Sequence, residues 1–213
     1  ITHLEWLAVV ALMLAALALR VHQLAVPSYT WDEATDREIA FSYLLNGDLT
    51  VADREPSQAR LPIYAETLVL KYWGDSEAKL RAVSVAAGML SLLVLWQIGR
   101  QTFNAWVGLS TLALATFSPF HLMISRLSGT HGDALLALFY TSALWVLLLF
   151  WQGWRQHNYG PFEARERHLL LLFGLFTGIA TGAKLTGVLL NLNLVLIAVV
   201  GRRAWRRTWP WLV

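Results

Sequence analysis

Two adjacent carboxylates, Asp32 and Glu33, are the first candidates for chemistry, because they follow closely on a long apolar stretch. A carboxylate at a membrane surface, partly desolvated by Trp31 and the neighbouring helices, could act as a general base on a hydroxyl group. The alternative is that both acids only stabilise a helix start, since Thr30 and Glu33 have the spacing of a capping box. The spacing alone leaves both interpretations open.

The elements that must position these acids are membrane helices. The chain has 213 residues, of which 56% are hydrophobic and 15% charged, whereas a soluble domain carries about 25% charge. Apolar stretches of roughly 20 residues are long enough to cross a bilayer. We therefore predict an all-α, polytopic transmembrane protein with about six membrane helices. They are placed at Trp6–Val26, Leu80–Ile98, Ala105–Ile124, Ala134–Trp151, and two short helices within Leu169–Val200 that turn near Lys184.

The charge distribution predicts how the helices are oriented. Arg100, the arginines at 155–167 and those at 202–207 fall on one side of a six-helix arrangement, which the positive-inside rule makes cytoplasmic. The N-terminus is then cytoplasmic, and the segment 27–79, the turn before Asp133 and the Lys184 turn are external. We expect a multi-pass protein of the inner or plasma membrane, whose partner is the lipid bilayer and whose net charge of +3 needs no nucleic acid.

The external segment 27–79 holds ten of the fourteen acids. One amphipathic helix is predicted to start at Thr30 and end at Asn46-Gly47, and a second to cover Leu61–Trp73 with Pro62 in its first turn. Both are expected to rest on the membrane surface. Residues 1–213 are interpreted as a single transmembrane domain, the N-terminal part of a longer protein. The absence of cysteine excludes disulfides and thiolate metal sites.

Several short motifs follow one another along the chain. The motifs are Trp31-Asp32-Glu33, Arg60-Leu61-Pro62-Ile63-Tyr64, the run from Gly74 to Arg81 leading to Ser84 and Gly88, the run from Ile98 to Phe103, Ser118-Pro119-Phe120, Ser125-Arg126 with Asp133, and the run from Gly178 to Lys184. In this order they resemble the polyprenyl-phosphate-sugar-dependent membrane glycosyltransferases of the GT-C class, which include protein O-mannosyltransferases and lipid A aminoarabinose transferases. The chain departs from the family where a His-Pro-Pro run is replaced by Arg60-Leu61-Pro62.

The resemblance implies an inverting transfer of a hexosyl or pentosyl group from a polyprenyl-phosphate donor to an acceptor hydroxyl on the external face. The acceptor is a protein, a lipid or a glycan. Asp32 is implied as the catalytic base, with Glu33 as its companion. The leaving phosphate needs cations, and arginine suits it through paired hydrogen bonds. The implied substrate-binding residues are Arg60, Tyr64, Arg81, Arg126, Asp133 and Lys184.

Three of these polar residues carry alternative interpretations. Asp133 either stabilises a helix start or faces the same cavity as Asp32, and Arg126 is expected to pair with Asp133 or with a phosphate. Lys184 either extends to the membrane surface or binds the donor phosphate. Some relatives hold a divalent metal in the second external turn. Asp133 and His131 are two candidate ligands, which do not make a site by themselves, so no cofactor is certain and a divalent metal stays open.

Other function classes compete with the enzyme. A transporter or flippase-like fragment would use Asp32, Asp133 and Lys184 to line a pathway, but these residues fall at one predicted side rather than at the bilayer midplane. A non-catalytic membrane scaffold would keep the fold without the activity.

Overall fold

The computed structural model describes residues 3–26, 29–49, 60–127, 132–156, 162–193, 195 and 199, and every regular element in these ranges is helical. The all-α prediction is therefore confirmed. The helices are α1 (His3–Val21), α2 (Trp31–Asn46), α3 (Leu61–Trp73), α4 (Glu77–Thr102), α5 (Ala105–Phe117), α6 (Pro119–Ile124), α7 (Asp133–Gln156) and α8 (Ala164–Ala183), followed by a 3₁₀ helix, Leu185–Asn191.

Within the described ranges, three helices, α1, α4 and α7, are long and apolar enough to cross a membrane. Helix α1 exposes large apolar side chains such as Leu7 and Leu14, which favours hydrocarbon surroundings over water. The protein is thus a helical membrane protein.

The predicted helix over Ala105–Ile124 is wrong in one respect, because it is broken into α5 and α6 at Ser118. Pro119 has no N–H to donate, and it disfavours helical geometry at the residue before it. Ser118 is accordingly extended, with ψ of 120°, and its hydroxyl caps α6 by accepting from the His121 amide. The break redirects α6 relative to α5.

The predicted ends of the two helices in segment 27–79 are confirmed. Thr30 and Glu33 form the capping box at the start of α2: the Glu33 amide donates to Thr30 Oγ1 at 3.3 Å, and the Thr30 amide donates to Glu33 Oε2 at 2.9 Å. Gly47 ends α2 with a positive φ of 70°, a conformation that glycine adopts at little cost. Pro62 lies in the first turn of α3.

The predicted turn near Lys184 is also confirmed. Helix α8 ends at Ala183, and Lys184 is extended. A Cβ at Gly187 would lie 2.4 Å from the carbonyl carbon of Ala180, so the 3₁₀ helix packs directly back onto α8. Only glycine permits this approach.

Among the described residues, four apolar clusters hold the helices together. The clusters are Val9, Ala16, Leu92, Trp96 and Leu112 between α1, α4 and α5; Ile39, Ala40, Ile63, Val69, Leu70 and Leu80 between α2, α3 and α4; Ala143, Val146, Phe173, Ala180 and Leu190 between α7, α8 and the 3₁₀ helix; and Phe150 with Trp154 between α7 and α8. The second cluster fixes α2 and α3 on the start of α4.

Candidate functional site

Polar side chains gather at the end of the bundle where α1 ends and where α2, α4 and α7 begin. Ion pairs and hydrogen bonds connect the residues after α1 to α4, and connect α7 to the end of α8. The opposite end has its own ion pair, from Arg100 Nε of α4 to Glu5 Oε1 of α1 at 2.7 Å. The sequence-predicted site residues that the structure describes all belong to the first end.

The adjacent acids Asp32 and Glu33 have opposite environments. Glu33 is fully buried, whereas Asp32 is exposed at the first turn of α2. Trp31 is exposed as well, so the expected desolvation of Asp32 by the protein itself is wrong. The reason is geometric, since the capping box turns Glu33 inwards and consecutive helical residues point about 100° apart.

Glu33 forms a buried ion pair with Arg81 of α4. Arg81 Nε donates to Glu33 Oε1 at 2.9 Å and Arg81 Nη2 donates to Glu33 Oε2 at 3.0 Å, while both side chains are at most 2% exposed. The remaining amino group, Arg81 Nη1, donates to the Leu24 carbonyl at 2.8 Å. Every nitrogen of the guanidinium group therefore contacts protein oxygen, and phosphate binding by Arg81 stays a prediction.

Tyr29 separates this buried pair from a more exposed one. Its ring centroid lies 5.6 Å from the guanidinium carbons of both Arg37 and Arg81, a distance at which cation–π attraction acts. Arg37 Nε donates to Asp75 Oδ1 at 2.8 Å. Burial, with the negative charge of Asp75 second, raises the pKa of Tyr29 to about 12, so its hydroxyl is protonated at neutral pH.

Asp133 and Lys184 form the second ion pair of the site. Lys184 Nζ donates to Asp133 Oδ1 at 2.7 Å, and the side chains are 29% and 33% exposed respectively. The prediction that α7 begins at Asp133 is confirmed. The expected pairing of Arg126 with Asp133 is wrong, because Lys184 occupies Asp133 and Arg126 Nη2 donates to the His22 carbonyl at 2.8 Å.

This second pair lies at a junction of three helix ends. A Cβ at Gly132, whose φ is +59°, would lie 2.2 Å from the Ala183 carbonyl oxygen and 2.9 Å from Pro62 Cγ. Glycine at this position therefore lets the starts of α3 and α7 meet the end of α8. We call the contact of Pro62, Gly132 and Ala183 the three-helix junction.

Arg60 and Tyr64 border the junction. Arg60 is exposed and precedes the first residue of α3. Tyr64, one turn later, is 36% exposed and packs against the ring of Tyr43 with centroids 5.3 Å apart. The structure thus brings Arg60, Asp133 and Lys184 to neighbouring helix ends.

The described residues do not fit a divalent metal site. They contain no group of three or more His, Asp or Glu side chains that could hold an ion. The carboxylate of Asp133 already accepts from an ammonium group, which offsets the charge that a dication would need. His131 lies outside the described residues, so its role as a ligand stays a prediction.

Sequence reasoning missed one buried polar network. Arg20 is 0% exposed and donates from Nη2 to His121 Nδ1 at 2.8 Å. The structure shows His121 half-buried between α1 and α4. The available signal was Arg20 itself, the only charged residue in the apolar stretch Trp6–Val26.

A comparison with protein families gives one match. The family model described as dolichyl-phosphate-mannose-protein mannosyltransferase matches residues 57–213. The matched range includes α3, α4 and the Asp133–Lys184 pair but begins after α2. No curated protein and no solved structure matches the chain.

Proposed function

Because the chain belongs to the dolichyl-phosphate-mannose-protein mannosyltransferase family, we propose that it transfers a sugar from a polyprenyl-phosphate donor to an acceptor hydroxyl group. The family and the apolar helices make it a membrane glycosyltransferase of the GT-C type. The proposal adds the lipid-linked donor, inversion at the anomeric carbon, and Asp32 as the general base. The acceptor class, whether protein, lipid or glycan, is left open.

The observation that carries this proposal is the division between the two adjacent acids. Glu33 is committed to Arg81 inside the protein, whereas Asp32 is exposed at the same end as Lys184. In the proposed step, Asp32 accepts the proton of the acceptor hydroxyl while the oxygen of that hydroxyl forms a bond to the anomeric carbon. The bond from that carbon to the phosphate oxygen breaks on the opposite face, and polyprenyl phosphate leaves with the electron pair.

The leaving phosphate is assigned to the three-helix junction. Lys184 is two-thirds buried and Arg60 is exposed at the start of α3, which meets the end of α8 at this junction, and both can donate charge-assisted hydrogen bonds to phosphate oxygens. Asp133 would hold Lys184 in place before the donor binds. Tyr64, one turn after Arg60 in α3, is 36% exposed, and its aromatic ring suits contact with a sugar or a prenyl chain.

The site is proposed to face the outside of the cell membrane, with the N-terminus in the cytoplasm. The arginine-rich segments support this orientation through the positive-inside rule. A donor that is anchored in the bilayer would reach a phosphate site at the helix ends without leaving the lipid.

Replacing Asp32 with Asn tests the base assignment. The full-length protein is assayed in membranes with tritiated polyprenyl-phosphate mannose, and Glu38→Gln, an exposed acid on the same helix, serves as the matched control. A general base contributes about 10²- to 10⁴-fold, so the Asp32 variant should lose that factor in kcat while the control keeps its activity. Transfer within about threefold of wild type would contradict the assignment. Donor flux across vesicles without transfer would favour a transporter instead.

A further inference from the structure

Arg20 is a buried cation that has no part in the proposed reaction. It lies in the last turn of α1 with no exposed surface, and Nη1 donates to the Ala16 carbonyl at 3.0 Å. Nη2 donates to His121 Nδ1 at 2.8 Å, and Nε has no hydrogen-bond partner within the described ranges. Burial of a charge without a carboxylate is unfavourable, so stability alone does not explain the residue.

His121 continues the contact across to α4. Since the guanidinium group can only donate, His121 Nδ1 must accept, and the ring proton of the neutral imidazole is then on Nε2. Nε2 lies 3.0 Å from Ser91 Oγ and donates to it, and Ser91 Oγ donates to the Gly88 carbonyl at 2.9 Å. One chain of hydrogen bonds therefore connects α1, α6 and α4.

Close helix packing fixes His121 in this position. A Cβ at Gly88 would lie 2.5 Å from Ser125 Cβ, so the end of α6 rests directly on α4 at a glycine. The Ser125 hydroxyl also donates to the His121 carbonyl. The helix break at Pro119 gives α6 the direction that this packing needs.

The residues after α1 are held by two further arginines. We call Val21–Val26, the last residue of α1 and the five that follow it, the exit turn. Arg126 donates to the His22 carbonyl and Arg81 donates to the Leu24 carbonyl, each at 2.8 Å. Gln23 between them has φ of 50°, a left-handed conformation that is unfavourable for an L residue and persists only when the surroundings impose it.

The exit turn connects directly to the proposed base. Arg81, which binds the Leu24 carbonyl, also binds both oxygens of Glu33, and Asp32 is the preceding residue. A displacement of the exit turn is therefore transmitted through Arg81 to the first turn of α2. Misplacement of a reacting group by 1 Å can cost about 10²-fold in rate.

We propose that Arg20 is a positioning residue for Asp32, which acts by holding the exit turn through its hydrogen bond to His121. The proposal rests on the proposed function, in which Asp32 is the base. Arg20 fixes the start of the exit turn from inside the bundle, while Arg81 and Arg126 hold its carbonyl groups from the other side.

Two substitutions at His121 form a matched pair for the test. Asn places its Oδ1 where the imidazole has Nδ1, whereas Gln places its amide near the position of Nε2. His121→Asn should keep kcat within about threefold because it still accepts from Arg20, and His121→Gln and Arg20→Met should lose about 10- to 100-fold in kcat. The KM for tritiated polyprenyl-phosphate mannose should stay within about twofold, because the cations assigned to its phosphate are outside this network.

A doubly apolar variant separates positioning from stability. In Arg20→Met/His121→Leu no unpaired cation is left buried, and such replacements are often neutral or stabilising. This variant should unfold at or above the wild-type temperature and still lose kcat. Loss of both stability and kcat would mean that the network is only structural.

Hydrogen exchange of the full-length protein gives a readout that does not depend on catalysis. The Leu24 and Val26 amides donate to the carbonyls of Val21 and Gln23, each at 3.2 Å, and both should exchange faster in His121→Gln than in His121→Asn. Residues 41–46 of α2 are the internal control and should not change. Equal exchange and equal kcat in the two variants would overturn the inference.

Parallel assay of Asp32→Asn distinguishes the two proposals. If Asp32→Asn is inactive while Arg20→Met keeps full kcat, the positioning role is wrong and the base assignment stands. If Asp32→Asn stays active, the base assignment fails, and faster exchange in Arg20→Met would show only that Arg20 holds the exit turn.

Discussion

Two ion pairs at the site end of the molecule, Glu33–Arg81 and Asp133–Lys184, differ in how easily each could release its cation. Glu33–Arg81 joins two side chains that are at most 2% exposed through two parallel hydrogen bonds, whereas Asp133–Lys184 has one contact between side chains about a third exposed. Removal of one partner from a buried pair leaves an uncompensated charge, whereas water compensates an exposed one. The first pair is therefore suited to building the site and the second to exchanging Asp133 for a substrate phosphate.

The largest expected effect is on stability at the buried pair. Arg81→Met leaves the Glu33 carboxylate buried, and loss of one partner of such a pair costs about 3–5 kcal/mol in the free energy of unfolding. Denaturant unfolding of the detergent-solubilised protein, followed by tryptophan fluorescence, measures this loss.

A double substitution supplies the control at the buried pair. Glu33→Met/Arg81→Met removes both charges, so it should recover most of the stability that Arg81→Met loses. A loss below about 1 kcal/mol in Arg81→Met would mean that water reaches this pair, and the contrast between the two pairs would then disappear.

The next effect is on use of the sugar donor at the partly exposed Asp133–Lys184 pair. A charge-assisted hydrogen bond contributes about 1.5–3 kcal/mol, so Lys184→Met should lower kcat/KM for polyprenyl-phosphate mannose by about 10- to 100-fold. Its free energy of unfolding should stay within about 1 kcal/mol of wild type. Lys184→Arg should retain most of the activity, because arginine is also a positively charged hydrogen-bond donor.

Asp133→Asn tests the same ion pair from its acidic partner. If the phosphate replaces Asp133 during turnover, removal of the carboxylate charge should leave KM unchanged or lower it. A loss of kcat/KM equal to that in Lys184→Met would indicate that the pair acts as a unit, as the buried pair does. Lys184 would then not exchange Asp133 for the phosphate.

Local features of this architecture could be read from the sequence. The start of α2 depends on Thr30 and Glu33, and its end depends on Gly47 and Tyr43, so each end is set by residues at most four positions apart. Pro62 likewise acts locally at the start of α3. Capping hydrogen bonds and positive φ angles are determined by residues that are close in the sequence. The Ser118-Pro119 break obeyed an equally local rule, although the apolar run predicted one continuous helix.

The pairing of charges could not be predicted in this way. Arg81 binds Glu33 across 48 positions, and Arg126 contacts His22 across 104. Which cation meets which acceptor depends on how the helices pack, and sequence periodicity does not specify this. Predicting the end of the molecule at which Arg126 lies was therefore easier than predicting its partner.

The smallest expected effect concerns a third ion pair, Arg37–Asp75, which matches the Asp133–Lys184 pair in exposure but lies away from the three-helix junction. The hydrogen bond from Arg37 holds the pKa of Asp75 below its usual value, so this pair stabilises the folded state above about pH 4. The contribution is lost as the pH falls through the lowered pKa, when the folded state must also take up the proton. The difference in unfolding free energy between wild type and Asp75→Asn should be below about 1 kcal/mol at pH 7 and should shrink as the pH falls below about 4.

The same variant should leave kcat/KM unchanged, because neither Arg37 nor Asp75 is assigned to the sugar donor. A loss of donor use as large as that in Lys184→Met would mean that exposure of an ion pair at this end, and not its place at the junction, decides which cation serves the phosphate.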